Sequence, residues 1–193
     1  MKRVTILVTH LLGTGHLSRS LILARALREA GLAPQLVSGG MPTGHLDLSG
    51  VDFVQLPPVR SDGTSFTRLL DSAGNPVTPE IMQQRIRMVE EALRRNPPDV
   101  LITELFPFGR RVLREEFEAA LAAARAMVPA PVVFSSIRDI LAPPSSPKKA
   151  QQTEAWLAEH YDGVLVHSDA GVVPLEASWP VTPRTAPMLH YTG

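Results

Sequence analysis

Short apolar runs alternate along this chain with stretches whose apolar positions recur every three or four residues. Residues 4–8 form the first run, β-rich and apolar, as expected of a buried parallel strand. Glycines follow, then a helical pattern over residues 16–30, with Leu17, Leu21 and Ala24 on one face and Arg19, Arg25, Arg28 and Glu29 away from it. Gly31 is a suitable stop. Leu36 and Val37 anchor a second strand ending in Gly39-Gly40, and residues 51–56 read as a third. The connection over 57–78 is long for a compact domain, and loops of that length are usually functional or disordered. Inside it, the sequence around Ser72-Ala73-Gly74-Asn75 predicts a small hairpin.

Thr78 and Pro79 cap and open a strong helix with an apolar stripe of Met82, Ile86, Val89 and Leu93. Glu90 with Arg94 and Glu91 with Arg95 are four apart in the favourable order. Residues 100–103 predict strand four, 110–127 an alanine-rich helix, 131–135 strand five, 149–160 a helix and 163–167 strand six. Residues 170–177 suit a short helix, and the proline-rich end over 180–193 reads as an exit linker. Such alternation specifies an α/β, Rossmann-like parallel sheet with helices on both faces. The expected division is a domain over 1–180, with 181–193 beginning a linker.

Composition narrows the function. The chain has 193 residues, 19 basic and 19 acidic, so its formal charge is zero and it lacks the bulk field of a nucleic-acid binder. Only three of the basic residues are lysines (Lys2, Lys148, Lys149), and arginine suits two-pronged contacts to phosphate or carboxylate. Cysteine is absent, which excludes disulfides, a thiol nucleophile and thiolate metal sites. No secretory signal or membrane span is present, so a cytoplasmic protein is expected, with peripheral contact at the inner membrane face open to it.

Ligands of such sheets bind beyond the carboxyl ends of the strands, at the point where strand order reverses. Polar residues gather there: His10 and Gly13-Thr14-Gly15-His16 after strand one; Ser38-Gly39-Gly40 after strand two; Glu104 to Gly109 after strand four. Ser135, Ser136, Arg138 and Asp139 follow strand five, and His167, Ser168 and Asp169 strand six. The glycine loop partly matches a dinucleotide fingerprint. Ser18 occupies the third glycine position, however, and the acidic ribose partner is missing. His16 opens helix one and is placed to take a proton from a hydroxyl, with Glu104 as its orienting acid; a purely supporting role is the alternative. Arg138 and Asp139 either pair internally or meet an acceptor's charged group. His167 and Asp169 either reach the crevice or simply end a strand. Phe106 and Phe108, followed by Arg110 and Arg111, make either an amphipathic rim or helix-start packing. No spacing typical of a metal site is present.

The run His10-Leu-Leu-Gly-Thr-Gly-His-Leu-Ser-Arg19, with Ala24-Arg-Ala-Leu and Val37-Ser-Gly-Gly40, resembles the start of MurG-like glycosyltransferases of family 28, in their uncharacterised bacterial branch. Leu56-Pro-Pro58, Glu104-Leu-Phe-Pro-Phe-Gly-Arg-Arg111, Ser136-Ile-Arg-Asp-Ile-Leu141, Val166-His-Ser-Asp169, Pro174-Leu-Glu-Ala-Ser178 and Tyr191-Thr-Gly193 extend the likeness through the chain. MurG itself has a further glycine before the histidine. The resemblance implies the N-terminal, acceptor-side half of a GT-B fold and inverting hexosyl transfer from a nucleotide-sugar, which is a substrate rather than a cofactor, usually without a bound metal. Gly13, Thr14 and Gly15 would face the donor diphosphate, with His16 and Glu104 catalytic. His10, Arg138, Asp139, His167 and Asp169 are the candidate contacts to a small-molecule or lipid-linked acceptor. Donor contacts would come mostly from a C-terminal domain beyond the linker, so these residues alone are expected to fold without turning over. The alternatives are half of a UDP-sugar 2-epimerase-like enzyme, or a non-catalytic subunit of a split transferase.

Overall fold

The computed structural model describes residues 1–63 and 68–193. The strands are β1 (Arg3–Val8), β2 (Ala33–Ser38), β3 (Asp52–Gln55), β4 (Arg60–Ser61), β5 (Leu69–Leu70), β6 (Val100–Glu104), β7 (Val132–Arg138), β8 (Gly163–His167) and β9 (Leu189–Tyr191). The helices are α1 (Gly15–Glu29), α2 (Pro79–Arg95), α3 (Arg114–Arg125) and α4 (Pro147–His160), with short 3-10 turns at Arg111–Leu113, Leu175–Ala177 and Ala186–Met188. Seven strands form one parallel sheet in the order β3-β2-β1-β6-β7-β8-β9. The order reverses between β1 and β6.

Connection direction sets the layers. The chain winds outward from β1 to β3, then crosses back through α2 to β6 and continues to β9. α1 packs Leu17, Leu21 and Ala24 on Val4, Ile6, Val8, Leu36 and Ile102. The opposite face carries α2, α3 and α4, whose Val89, Leu93, Phe117, Leu121 and Leu157 meet Leu7, Val37, Leu101 and Val133. The strand interiors are apolar on both faces because both are covered. Fully burying one such aliphatic side chain is worth about 1.5–3 kcal/mol.

α2 is rotated from its expected face. Its buried residues are Arg85, Val89, Ala92 and Leu93, while Met82 and Ile86 are half-buried. Arg85 is fully enclosed and meets Glu116 of α3 two-prongedly, Nε to Oε2 at 2.6 Å and Nη2 to Oε1 at 2.9 Å. Its Nη1 donates to the Gly39 carbonyl at 2.8 Å and also reaches that of Pro57, while Nη2 lies 3.3 Å from Thr9 Oγ1. One buried cation thus ties together the loops beyond β1, β2 and β3. Gly39 is required there: a Cβ would stand 2.2 Å from Arg85 Nη2 and 2.3 Å from Thr9 Oγ1.

Three further expectations change. β7 runs three residues beyond its expected end at 135, so Ser136 and Arg138 also lie within the strand. The proline-rich end packs on the domain, and its Leu189–Tyr191 supplies the edge strand beside β8. Of the 170–177 stretch only a 3-10 turn is helical. The expected hairpin is present, with Asp71 N donating to Asn75 O at 2.8 Å, Val77 N to Leu69 O at 3.0 Å and Leu70 bridging Pro76; β5 also pairs with β4. Residues 64–67 of that connection lie outside the described residues.

Candidate functional site

The crevice between β1 and β6 brings His16 and Glu104 together across 88 residues of sequence. His16 stands in the first turn of α1 and Glu104 ends β6. His16 Nδ1 lies 2.9 Å from Glu104 Oε1, and Arg19, one turn further along α1, pairs with the same oxygen. Glu104 is 2% exposed. Ser136 Oγ on β7 lies 2.6 Å from Glu104 Oε2 and 3.0 Å from His167 Nε2, and His167 Nδ1 lies 3.0 Å from Thr192 Oγ1.

These distances fix the proton positions. A carboxylate only accepts, so His16 carries its proton on Nδ1, and Ser136 donates its one proton to Oε2. Ser136 Oγ then accepts from His167 Nε2–H, leaving His167 Nδ1 to accept from the Thr192 hydroxyl. Arg19 Nη2 is also 3.3 Å from His16 Nδ1, but two donors cannot share a hydrogen bond, so that approach is a contact only. His16 Nε2 makes no hydrogen bond among the described residues.

Electrostatics agrees. Burial opposes ionisation of Glu104, yet the hydrogen bond from His16, the charge of Arg19 and the hydrogen bond from Ser136 outweigh it and hold the carboxyl below its usual value. Burial lowers His167, with Arg19 acting in the same direction and Glu104 partly against, so it favours the neutral form deduced above.

The other candidates separate. His10 is 4% exposed, its Nδ1 lacks a hydrogen-bond partner, and a Cβ on Gly40 would stand 2.3 Å from that atom. This candidate acceptor contact is therefore enclosed against Gly40. Burial lowers its pKa. Arg138 Nε lies 3.4 Å from Asp139 Oδ1, at the protein surface. Asp169 is exposed and holds a turn, with Oδ1 accepting from Gly171 N at 2.7 Å. Gly13 and Gly15 have ordinary negative φ, and nothing stands within 4 Å of where a Cβ would sit. Thr14 makes no side-chain cap on α1, whose first turn holds no acidic residue. Among the described residues no group of three His, Cys, Asp or Glu could hold a metal.

Arg19 and Thr192 were not picked out as site residues from sequence; Ser136 was placed there only as a strand-end residue, and Arg110 only in a rim or helix start. Arg19 had a usable signal: it sits three residues after His16, on the same helix face. Arg110 lies at the crevice too, with Nε donating to the Thr9 carbonyl at 2.6 Å.

No protein-family model matches the sequence, and no curated protein matches it. Solved structures do. MurG of Acinetobacter baumannii superposes with a TM-score of 0.56 at 15% identity, over 100% of this chain and 46% of that one. A glycosyltransferase from Rickettsia africae ESF-5 gives 0.58 at 12% identity, over 98% and 42%. A UDP-N-acetylglucosamine 2-epimerase gives 0.53 at 12% identity, over 100% and 48%.

The chain has the fold of a MurG-like N-terminal domain. It is a Rossmann-like parallel sheet of the kind found in GT-B glycosyltransferases, and it spans less than half the length of these three proteins. The domain carries its switch-point crevice, with His16 and Glu104, where such sheets take their ligands.

Proposed function

We propose that this chain is the acceptor side of an inverting glycosyltransferase that moves a hexosyl group from a nucleotide-sugar to an acceptor hydroxyl. One observation carries the reading: at the switch point His16 holds Nδ1 on a buried, ionised Glu104 and keeps Nε2 unengaged. Nε2 would take the acceptor hydroxyl proton as its oxygen bonds to the anomeric carbon. The bond from that carbon to the donor's diphosphate breaks, and the diphosphate leaves with the electron pair. Glu104, remaining ionised, balances the imidazolium.

The glycine loop supports a diphosphate nearby. Neither backbone conformation nor packing demands glycine at 13 and 15, so their bareness leaves clearance for something outside the fold. The uncapped start of α1 offers backbone N–H groups and the positive end of the helix dipole. In this reading the nucleotide-sugar is a substrate, no cofactor takes part, and a second domain supplies the opposite wall. No described helix is long and apolar enough to cross a membrane. In this reading a lipid-linked acceptor would be met peripherally, at the inner face.

In the full-length enzyme, His16→Ala should lower kcat for sugar transfer by about 10²- to 10⁴-fold while leaving the thermal midpoint nearly unchanged. Undiminished turnover would remove the base. The 2-epimerase fold match favours a second reading. An epimerase would convert its nucleotide-sugar with no acceptor present, so the product formed from donor alone separates the two.

A further inference from the structure

Arg110 is a cation at the crevice that the transfer step leaves unused. Its backbone φ is +60°, a left-handed conformation suited to glycine or asparagine. Leu105, at the start of the same loop, also has φ +68°. Between them the Phe106 carbonyl accepts from Thr103 Oγ1 at 2.9 Å and from Ser135 Oγ at 2.8 Å. Strained backbone persists where surrounding contacts over-determine it, and such residues cluster at ligand clamps. Here the held loop places Arg110 across the seam from β6 to β1, where Nε donates to Thr9 O.

The rest of the guanidinium is unspent. Nη1 and Nη2 make no hydrogen bond or ion pair among the described residues, and neither is a sealed, partnerless atom, although the side chain is largely buried and burial lowers its pKa to about 10. Charge counting points the same way. Glu104 is matched by Arg19, and Arg138 by Asp139. Burial lowers the pKa of His10 and of the half-buried His167, so neither ring adds charge near neutral pH. Arg110 itself forms no ion pair among the described residues.

We propose that Arg110 is an oxyanion-binding residue of the acceptor site, taking one phosphate or carboxylate through its two free Nη groups. That the anion belongs to an acceptor rests on the transferase reading; the binding itself does not. Arg110 reaches from the loop after β6 to the Thr9 carbonyl at the end of β1, so it faces the crevice at the seam between the two strands. A planar guanidinium with one nitrogen anchored is pre-organised for a two-pronged contact.

The test is a titration of the purified chain with methyl phosphate, acetate and UDP, followed by 15N NMR of arginine Nε–H and backbone amides. Methyl phosphate or acetate should give a saturable, millimolar shift of the Arg110 Nε–H signal. Arg110→Asn should abolish the accompanying amide shifts around Thr9 and Arg110, with a thermal midpoint at or above the parent's because asparagine suits the left-handed backbone. Arg110→Lys, which keeps the charge without the fork, should weaken binding about tenfold. No saturable shift with either anion, or amide shifts that persist in Arg110→Asn, would overturn the proposal. So would a UDP response at Arg110 that methyl phosphate does not reproduce, which would assign the residue to the donor. No turnover is involved, so failure here leaves the His16 test intact, and failure of that test leaves anion binding intact.

Discussion

Two of the six histidines, His10 and His167, sit in or beside the crevice with pKa values lowered by burial. Each binds its proton less readily folded than unfolded. As pH falls below about 6.5 the unfolded state takes up protons first, and stability falls until the folded values are reached. Glu104 acts in the same direction at lower pH: its contribution is present above about 4.3 and is lost as pH falls through its depressed folded value. The urea midpoint should therefore be flat near pH 7 to 8, decline below about 6.5 and decline again below about 4.3. His167→Gln, which can still donate to Ser136 and accept from Thr192, should make the first decline shallower. A midpoint constant between about pH 5 and 7 would show that the folded histidines titrate normally. His16 and Glu104 were legible in sequence because each follows an apolar run, and parallel strands bring such ends together. Arg110 was legible only as part of a rim or helix start, because a left-handed backbone leaves no trace in residue pattern when the residue is arginine.

Among the elements, α2 best shows where periodicity misleads. Counting apolar residues selects Met82, Ile86, Val89 and Leu93, but the helix turns Arg85 inward. Glu116 awaits it on α3, and no local pattern announces a partner 31 residues away. Arg85→Met should cost about 3–5 kcal/mol in urea unfolding, because Glu116 is left charged and buried. Arg85→Met with Glu116→Leu should recover most of that loss. A single-substitution cost below about 1 kcal/mol would mean that water reaches Glu116 and the node is not sealed. β7 carries the same lesson in milder form: Ser135, Ser136 and Arg138 end its apolar run but not its ladder, because Ser135 and Ser136 have partners in Phe106 O, Glu104 and His167.

For the molecule as a whole, the alternation of strand and helix was sufficient to give the fold class, and the reversal of strand order located the crevice. The end of the chain was less legible. Residues 189–191 are too few and too close to prolines to read as a strand, yet pairing with β8 makes them one. That pairing carries Thr192 to His167, so the edge strand is joined through Ser136 and Glu104 to the base. The central claim is that the crevice presents a polarised imidazole with Nδ1 protonated and Nε2 free. Long-range 15N NMR of the histidine rings, recorded near neutral pH, tests it most directly. His16 should be the Nδ1–H tautomer in the parent chain and should lose that preference in Glu104→Gln. An Nε2–H tautomer in the parent, or a tautomer indifferent to Glu104→Gln, would contradict the account.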